Sequence, residues 1–168
     1  MIDYLRPILT AQYEAALSML RMCIAACPVD RWEDKIANGT FRWVAYHTLF
    51  FTDYYLASEA GFVMRDLNQL GGDERDDRPA AGLDRSQTLS YLARVREHVP
   101  IALAKETDVT LRGESGFSWH KFTRGELHIY NIRHLQHHTG QLSAHLRRVG
   151  VVASHSNEVR WVGSGWRE

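Results

Sequence analysis

The sequence predicts an all-α protein: a four-helix bundle followed by an irregular C-terminal tail. Apolar residues recur at helical spacing in four long segments, and no segment shows the strict alternation of a half-buried strand. Glycine and proline cluster between the helical segments, where turns are expected. With 168 residues the chain has the length of one domain. We therefore expect a single domain over residues 1–168, with a non-helical tail at 151–168.

The first helix is predicted from about Asp3 to Cys27, and Pro28 ends it. A buried stripe follows a 4-3-4-3-4 spacing along this segment: Leu9, Tyr13, Ala16, Leu20, Cys23 and Cys27. The two cysteines lie on that stripe, and their C-x-x-x-C spacing differs from the redox C-x-x-C motif. We interpret them as core residues, because a free cysteine packs like a small apolar side chain.

The second helix is predicted to begin after Thr40, a typical N-cap residue, and to end at Gly61 or a little later. Within it the stretch FRWVAYHTLFFTDYY is rich in aromatic residues at helical spacing. Residues 71–82, GGDERDDRPAAG, are charged and contain glycine and proline. This composition is typical of a solvated connection between helices.

The third helix is predicted to start after Asp84 or Ser86 and to be kinked at Pro100. A loop that contains Gly113 and Gly116 follows.

The fourth helix begins at the sequence TRGE, in which Thr123 and Glu126 have the spacing of a capping box. Gly150 is the expected stop residue. The tail beyond it carries Trp161 and Trp166 in a polar setting. Two alternatives are open for this tail: it packs back on the bundle, or it contacts a second subunit.

The charge balance argues against several classes of partner. Twenty acidic and twenty basic residues give a formal net charge of zero, so we expect no binding to nucleic acid or to an anionic membrane. The N-terminal sequence MIDYLRPILT lacks the layout of a signal peptide, and no apolar run reaches the roughly 20 residues of a membrane span. We expect a cytoplasmic protein.

Histidines are concentrated in residues 133–148, RHLQHHTGQLSAHLRR. His134 and His138 are four residues apart and therefore share one face of a helix. His47 lies in the second helix among aromatic residues, where a buried imidazole needs a partner. One divalent transition metal ion would satisfy all three imidazoles together. The alternative is that His47 is a core residue with an ordinary hydrogen bond and that the fourth helix has a polar, histidine-rich face.

Three further residues are candidates for the surroundings of this site. Gln141 is one turn from His137 and His138, so it is a candidate hydrogen-bond partner for a metal ligand. His137 either lines the rim of the pocket or is exposed. Tyr54 either presents its hydroxyl to the pocket or belongs to the core.

Two other histidines are assigned lower rank. His145 lies nearly two turns beyond His138, about 10 Å along a helix, which is too far to share the same ion easily. His120 lies in the glycine-containing loop, and we interpret it as a surface residue rather than one that approaches the metal.

The stretch HLQHHTGQLSAHLR resembles the helix-four signature of the DinB-like superfamily of metal-binding four-helix-bundle proteins. The positions that match are His134, His138, Gly140, Gln141 and Leu142. His47 occupies the place of the single inward histidine in the family's second helix. The resemblance implies a bundle of DinB-like type with unusual helix connectivity. It also implies one divalent metal ion, zinc or nickel, on the triad His47, His134 and His138, and a homodimer.

The resemblance also implies thiol chemistry, because better understood members are bacillithiol or mycothiol transferases and mycothiol-dependent isomerases. A metal with open positions can hold a small thiol as thiolate or can lower the pKa of a bound water to near 7. The sequence has no H-E-x-x-H glutamate to assist the water. We therefore favour activation of a low-molecular-weight thiol for transfer to a small electrophile. Hydrolysis of a small substrate and a non-catalytic, stress-related metal- or ligand-binding role are the alternatives.

Overall fold

The computed structural model describes residues 1–36, 39–57, 83–153 and 158–168. Four long helices form a bundle, and a short helix precedes the last of them: α1 (Ile2–Ala26), α2 (Phe41–Leu56), α3 (Arg85–Ala104), α4 (Asp108–Arg112) and α5 (Arg124–Arg148). The two-residue strands β1 (Lys35–Ile36) and β2 (Gly39–Thr40) pair antiparallel just before α2. The all-α prediction is confirmed.

The helices do not alternate up and down around the bundle. α1 runs parallel to α5, because Tyr13 pairs with His128 and Cys23 with Thr139. α2 runs antiparallel to α5, and α3 runs antiparallel to α1. Two neighbouring pairs are therefore parallel, α1 with α5 and α2 with α3, which differs from the up-down-up-down order of simple bundles.

Local signals located the starts of the helices correctly. The side chain of Thr40 accepts a hydrogen bond from the amide of Trp43 and caps α2. Asp84, not Ser86, caps α3 through a capping box, and Thr123 with Glu126 forms the predicted box at α5. After α5 the chain leaves the helix at Gly150, whose φ of 76° lies in the left-handed region.

The end of α2 differs from the prediction. The chain is already extended at Ala57, before the predicted end at Gly61. Arg124 donates hydrogen bonds of 2.7–3.0 Å to three carbonyl oxygens at this end, those of Tyr55, Leu56 and Ala57. A guanidinium group from α5 thus takes the place of the next helical turn as partner of those carbonyls. Glu106 holds Arg124 in place with a contact of 2.8 Å to Nε.

The sequence analysis missed α4. Thr107 caps this helix through a capping box with Thr110, and the spacing of these two threonines is a local signal that could have predicted it. The predicted connection at 71–82 lies outside the described residues.

The core fills the space between the four long helices. Cys23 and Cys27 belong to it as predicted, and burial raises the pKa of each thiol to about 12. None of the described helices combines the length and apolar character of a membrane span.

The described part of the tail packs back on the bundle. Val152, Val159 and Val162 are buried in the main core. The ring of Trp166 lies between the guanidinium groups of two arginines, Arg21 and Arg96, at 5.6 and 4.1 Å. Trp161, in contrast, is 74% exposed.

A candidate metal centre between two helices

Three half-buried histidines meet where α2 crosses α5. The Nε2 atoms of His47 and His134 are 3.2 Å apart, and one nitrogen from each of His47, His134 and His138 lies within 4.8 Å of the others. Two nitrogen ligands bound at 2.0–2.1 Å to a tetrahedral ion are separated by about 3.3 Å. The three residues, called the histidine cluster below, therefore have the dimensions of a site that can hold one metal ion.

The histidine cluster has no acidic member among the described residues. No cysteine or carboxylate of the described chain joins the three imidazoles. Burial, together with smaller contributions from charge repulsion by His138, His47 and His137, lowers the pKa of His134 to about 3. His134 is consequently a neutral imidazole near pH 7, which is the form that binds a transition metal.

Aromatic rings enclose the cluster on the inner side. The imidazole of His47 lies between Trp43 and Phe51, with both ring centroids at 4.8 Å. Three rings contact His134 at 5.8–6.4 Å, those of Phe51, Tyr55 and Tyr130. These rings exclude water from one side of the cluster, which strengthens electrostatic interactions within it.

Gln141 contacts two histidines of α5, one of which belongs to the cluster. Its side-chain oxygen lies 2.8 Å from Nδ1 of His138 and accepts a hydrogen bond from it, which leaves Nε2 of His138 as the atom available to a metal ion. The side-chain nitrogen of Gln141 is 3.3 Å from Nε2 of His137, which is exposed at the rim. His134 is held differently: its Nδ1 is buried with no hydrogen-bond partner, its Nε2 lies 3.2 Å from Nε2 of His47, and aromatic rings surround it.

Tyr54 lies farther from the histidine cluster than Tyr55 does. It is buried against Phe117 at 5.0 Å and Trp119 at 6.1 Å, whereas Tyr55 contacts His134 directly. The sequence analysis did not single out Tyr55 or Tyr130.

Of these two tyrosines, only Tyr130 could have been predicted from the sequence to lie near the cluster. It precedes His134 by four residues and so shares its helical face. The contact of Tyr55 depends on how α2 and α5 pack.

His120 is half-buried rather than a surface residue, which corrects the interpretation from sequence. Its ring stacks on Phe122 at 4.7 Å and approaches Tyr130 at 4.8 Å. Burial lowers its pKa, and its Nε2 is buried without a hydrogen-bond partner. The hydroxyl of Ser115 donates to the His120 carbonyl at 3.0 Å and fixes the loop.

The remaining described histidines have partners of their own. His145 pairs with Asp34, which directly precedes β1, and it does not join the cluster. The other pairs likewise join a histidine to a carboxylate at 2.6–3.1 Å: His98 with Asp53, and His128 with Glu106. His155, to which no role was assigned, lies outside the described residues.

Comparison with known proteins gives one match. The family model described as DinB superfamily matches residues 12–142, a stretch that includes all three members of the histidine cluster. No curated protein and no solved structure matches the chain.

Proposed function

Because the chain belongs to the DinB superfamily, we propose that it is a metal-dependent enzyme that activates a low-molecular-weight thiol for transfer to a small electrophile. The observation that carries the proposal is a cluster of three imidazoles that converge within 4.8 Å of one another with no carboxylate among them in the described chain. Such a set of ligands suits zinc or nickel and leaves coordination positions for an exogenous ligand.

Each residue of the site has a definite task in this proposal. His47, His134 and His138 would hold the ion through one ring nitrogen each. A bound divalent ion would supply the acidity that favours the thiolate form of a small thiol, whose proton would pass to solvent. The sulfur then forms a bond to the electrophilic carbon as the leaving group departs with its electron pair. Gln141 fixes the ring orientation of His138 during these steps.

Hydrolysis is the less favoured function. A metal-activated water benefits from a carboxylate base beside it, and the cluster includes none among the described residues. A thiol needs no such base, because coordination alone removes its proton at neutral pH.

Elemental analysis of the protein purified without a histidine tag tests the metal site. We expect about one transition metal ion per chain, and its loss in His47→Ala and in His138→Ala. His137→Ala is the matched control, because His137 is adjacent to His138 on α5 but exposed. Metal retained in both cluster variants would contradict the assignment.

Activity assays then distinguish the functions. The metal-loaded protein is incubated with different small thiols and a chromogenic electrophile, and we expect turnover that requires both metal and thiol. Metal-dependent turnover without a thiol would indicate a hydrolase instead. Bound metal with no turnover across broad substrate panels would indicate a non-catalytic binding protein.

We also propose that the protein forms a homodimer in which Trp161 contributes to the contact. Trp161 is 74% exposed, and tryptophan is enriched at protein interfaces. Light scattering should give twice the 19.3 kDa chain mass, and Trp161→Ser should shift the protein toward monomer. A monomeric wild-type protein would contradict this proposal without affecting the metal site.

A further inference from the structure

An unpaired cation lies next to the histidine cluster. Arg133 directly precedes His134 on α5, and within the described residues its guanidinium makes no ion pair or hydrogen bond. Its neighbours three and four residues away offer no carboxylate: Ile129, Tyr130, Gln136 and His137. Several other arginines of the described chain do have acidic partners, as Arg124 has with Glu106 and Arg42 with Glu33.

Arg133 and a member of the histidine cluster line the same surface depression. Its volume is about 480 Å³. The described residues that line it all belong to α5: Tyr130, Arg133, His134, Gln136 and His137. His134 connects the depression to the cluster, since its Nε2 faces His47. A ligand bound at the cluster can therefore extend across this depression toward the guanidinium of Arg133.

The charges around this depression favour an anion. From residue 127 to residue 153 the sequence contains no aspartate or glutamate. Three neutral imidazoles leave the double positive charge of a divalent ion uncompensated, and Arg133 adds a further positive charge. A guanidinium group pairs with a carboxylate through two parallel hydrogen bonds, which makes it selective for that group.

We propose that Arg133 binds a carboxylate of the substrate, and that the thiols used by this site are therefore anionic, with the carboxylate distant from the sulfur. This inference rests on the proposed thiol function and adds the substrate class to it. Arg133 is assigned as a residue that determines specificity, and it is not a metal ligand.

Binding to the cobalt-loaded protein tests the inference without an activity assay. 6-Mercaptohexanoic acid and 6-mercaptohexanamide differ only in the carboxylate, which a flexible chain separates from the sulfur, and a thiolate bound to cobalt(II) gives a charge-transfer absorption band that reports binding. We expect the acid to bind wild-type protein about tenfold more tightly than the amide at low salt, with the preference decreasing as salt rises.

Three variants locate the preference. Arg133→Gln should bind acid and amide equally, and Arg133→Lys should keep part of the preference, because an ammonium group offers charge without the paired geometry. Arg160→Gln, which removes an equal charge from the exposed tail, should keep all of it. The cobalt content of every variant is measured, so that loss of carboxylate binding is distinguished from loss of metal.

The contrary outcomes are separable. Equal affinity of the wild-type protein for acid and amide, or a preference that survives in Arg133→Gln, would overturn the role of Arg133 and leave the thiol function intact. Bound cobalt with no charge-transfer band from either thiol would overturn the thiol function, and this inference with it.

Discussion

Two polar clusters contact the same helix α5 and satisfy their polar groups in opposite ways. The first, called the Arg124 cluster, consists of four buried residues: Tyr13, Glu106, Arg124 and His128. The second is the histidine cluster. Arg124 and His134 are ten residues apart, about 15 Å along α5, so the two environments are close but separate.

The Arg124 cluster is complete within the protein. Glu106 lies 2.8 Å from Arg124 and 3.1 Å from His128, and the hydroxyl of Tyr13 is 3.2 Å from the other nitrogen of His128. Burial alone would raise the pKa of Glu106, but hydrogen bonds from His128, Arg124 and Thr110 lower it to about 2. Every charge has a counter-charge, so this cluster needs no ligand.

The histidine cluster lacks such compensation. His47 and His134 bring ring nitrogens to 3.2 Å of each other, and no charged group of the described chain stands between them. Burial of polar side chains therefore does not by itself indicate a functional site. The informative feature is a set of imidazole nitrogens that converge within 4.8 Å of one another with no carboxylate among them in the described chain.

The largest effect on the free energy of unfolding is expected from a substitution in the Arg124 cluster. Arg124→Ala removes the partner of a buried carboxylate and of three carbonyls at the end of α2, so we expect a loss of about 3–5 kcal/mol in the free energy of unfolding. Urea unfolding measures it. The control is Arg112→Ala at an exposed position, for which we expect a change within about 0.5 kcal/mol. Equal effects of the two substitutions would contradict the assigned role of Arg124.

Addition of a divalent metal ion should stabilise the folded protein through the histidine cluster. An ion that binds only the folded state at one hundred times its dissociation constant stabilises the protein by about 2.7 kcal/mol. We expect the Tm of the metal-free protein to rise on addition of zinc or nickel and to fall again with a chelator. His47→Ala should abolish the response, and a rise of the same size in that variant would place the bound ion elsewhere.

Acid should weaken the metal-free protein through its buried histidines. The pKa of His134 is about 3 in the folded protein, whereas an unfolded histidine titrates near 6.5, so below that pH the unfolded state binds more protons. This contribution to the free energy of unfolding is constant above pH 6.5 and decreases as the pH falls from 6.5 toward 3.

Burial also lowers the pKa of His128, which adds to the decrease of the free energy of unfolding as the pH falls. His134→Leu should therefore show a shallower decrease than the wild-type protein, but not none, when urea unfolding is repeated between pH 7.5 and 4.5. Identical pH dependence in the two proteins would show that His134 does not titrate in this way.

The smallest expected effect concerns the support of one ligand. Gln141→Leu removes the acceptor that orients His138, and we expect metal affinity to fall about tenfold to a hundredfold with one ion still bound at saturation. Competition with a coloured chelator measures the affinity. Gln136→Leu on the same helix is the control, since Gln136 contacts Met19 instead of the cluster. Unchanged affinity in Gln141→Leu would remove Gln141 from the site.

The sequence by itself determined the features that depend on near neighbours in the chain. The capping residues Thr40, Asp84 and Thr123 set helix starts, because a cap joins atoms only two or three residues apart. The shared face of His134 and His138 follows from helical periodicity in the same way.

The features that join distant segments of the chain depend on the packing of the helices and could not be predicted from the sequence. α2 ends where it does because Arg124, which lies 67–69 residues later in the chain, donates to its last carbonyls. His47 meets His134 across 87 residues, and Tyr55 rather than Tyr54 reaches the cluster because of the rotation of α2 against α5. Helical periodicity places a side chain on a face of its own helix, but the packing of the helices determines what that face contacts.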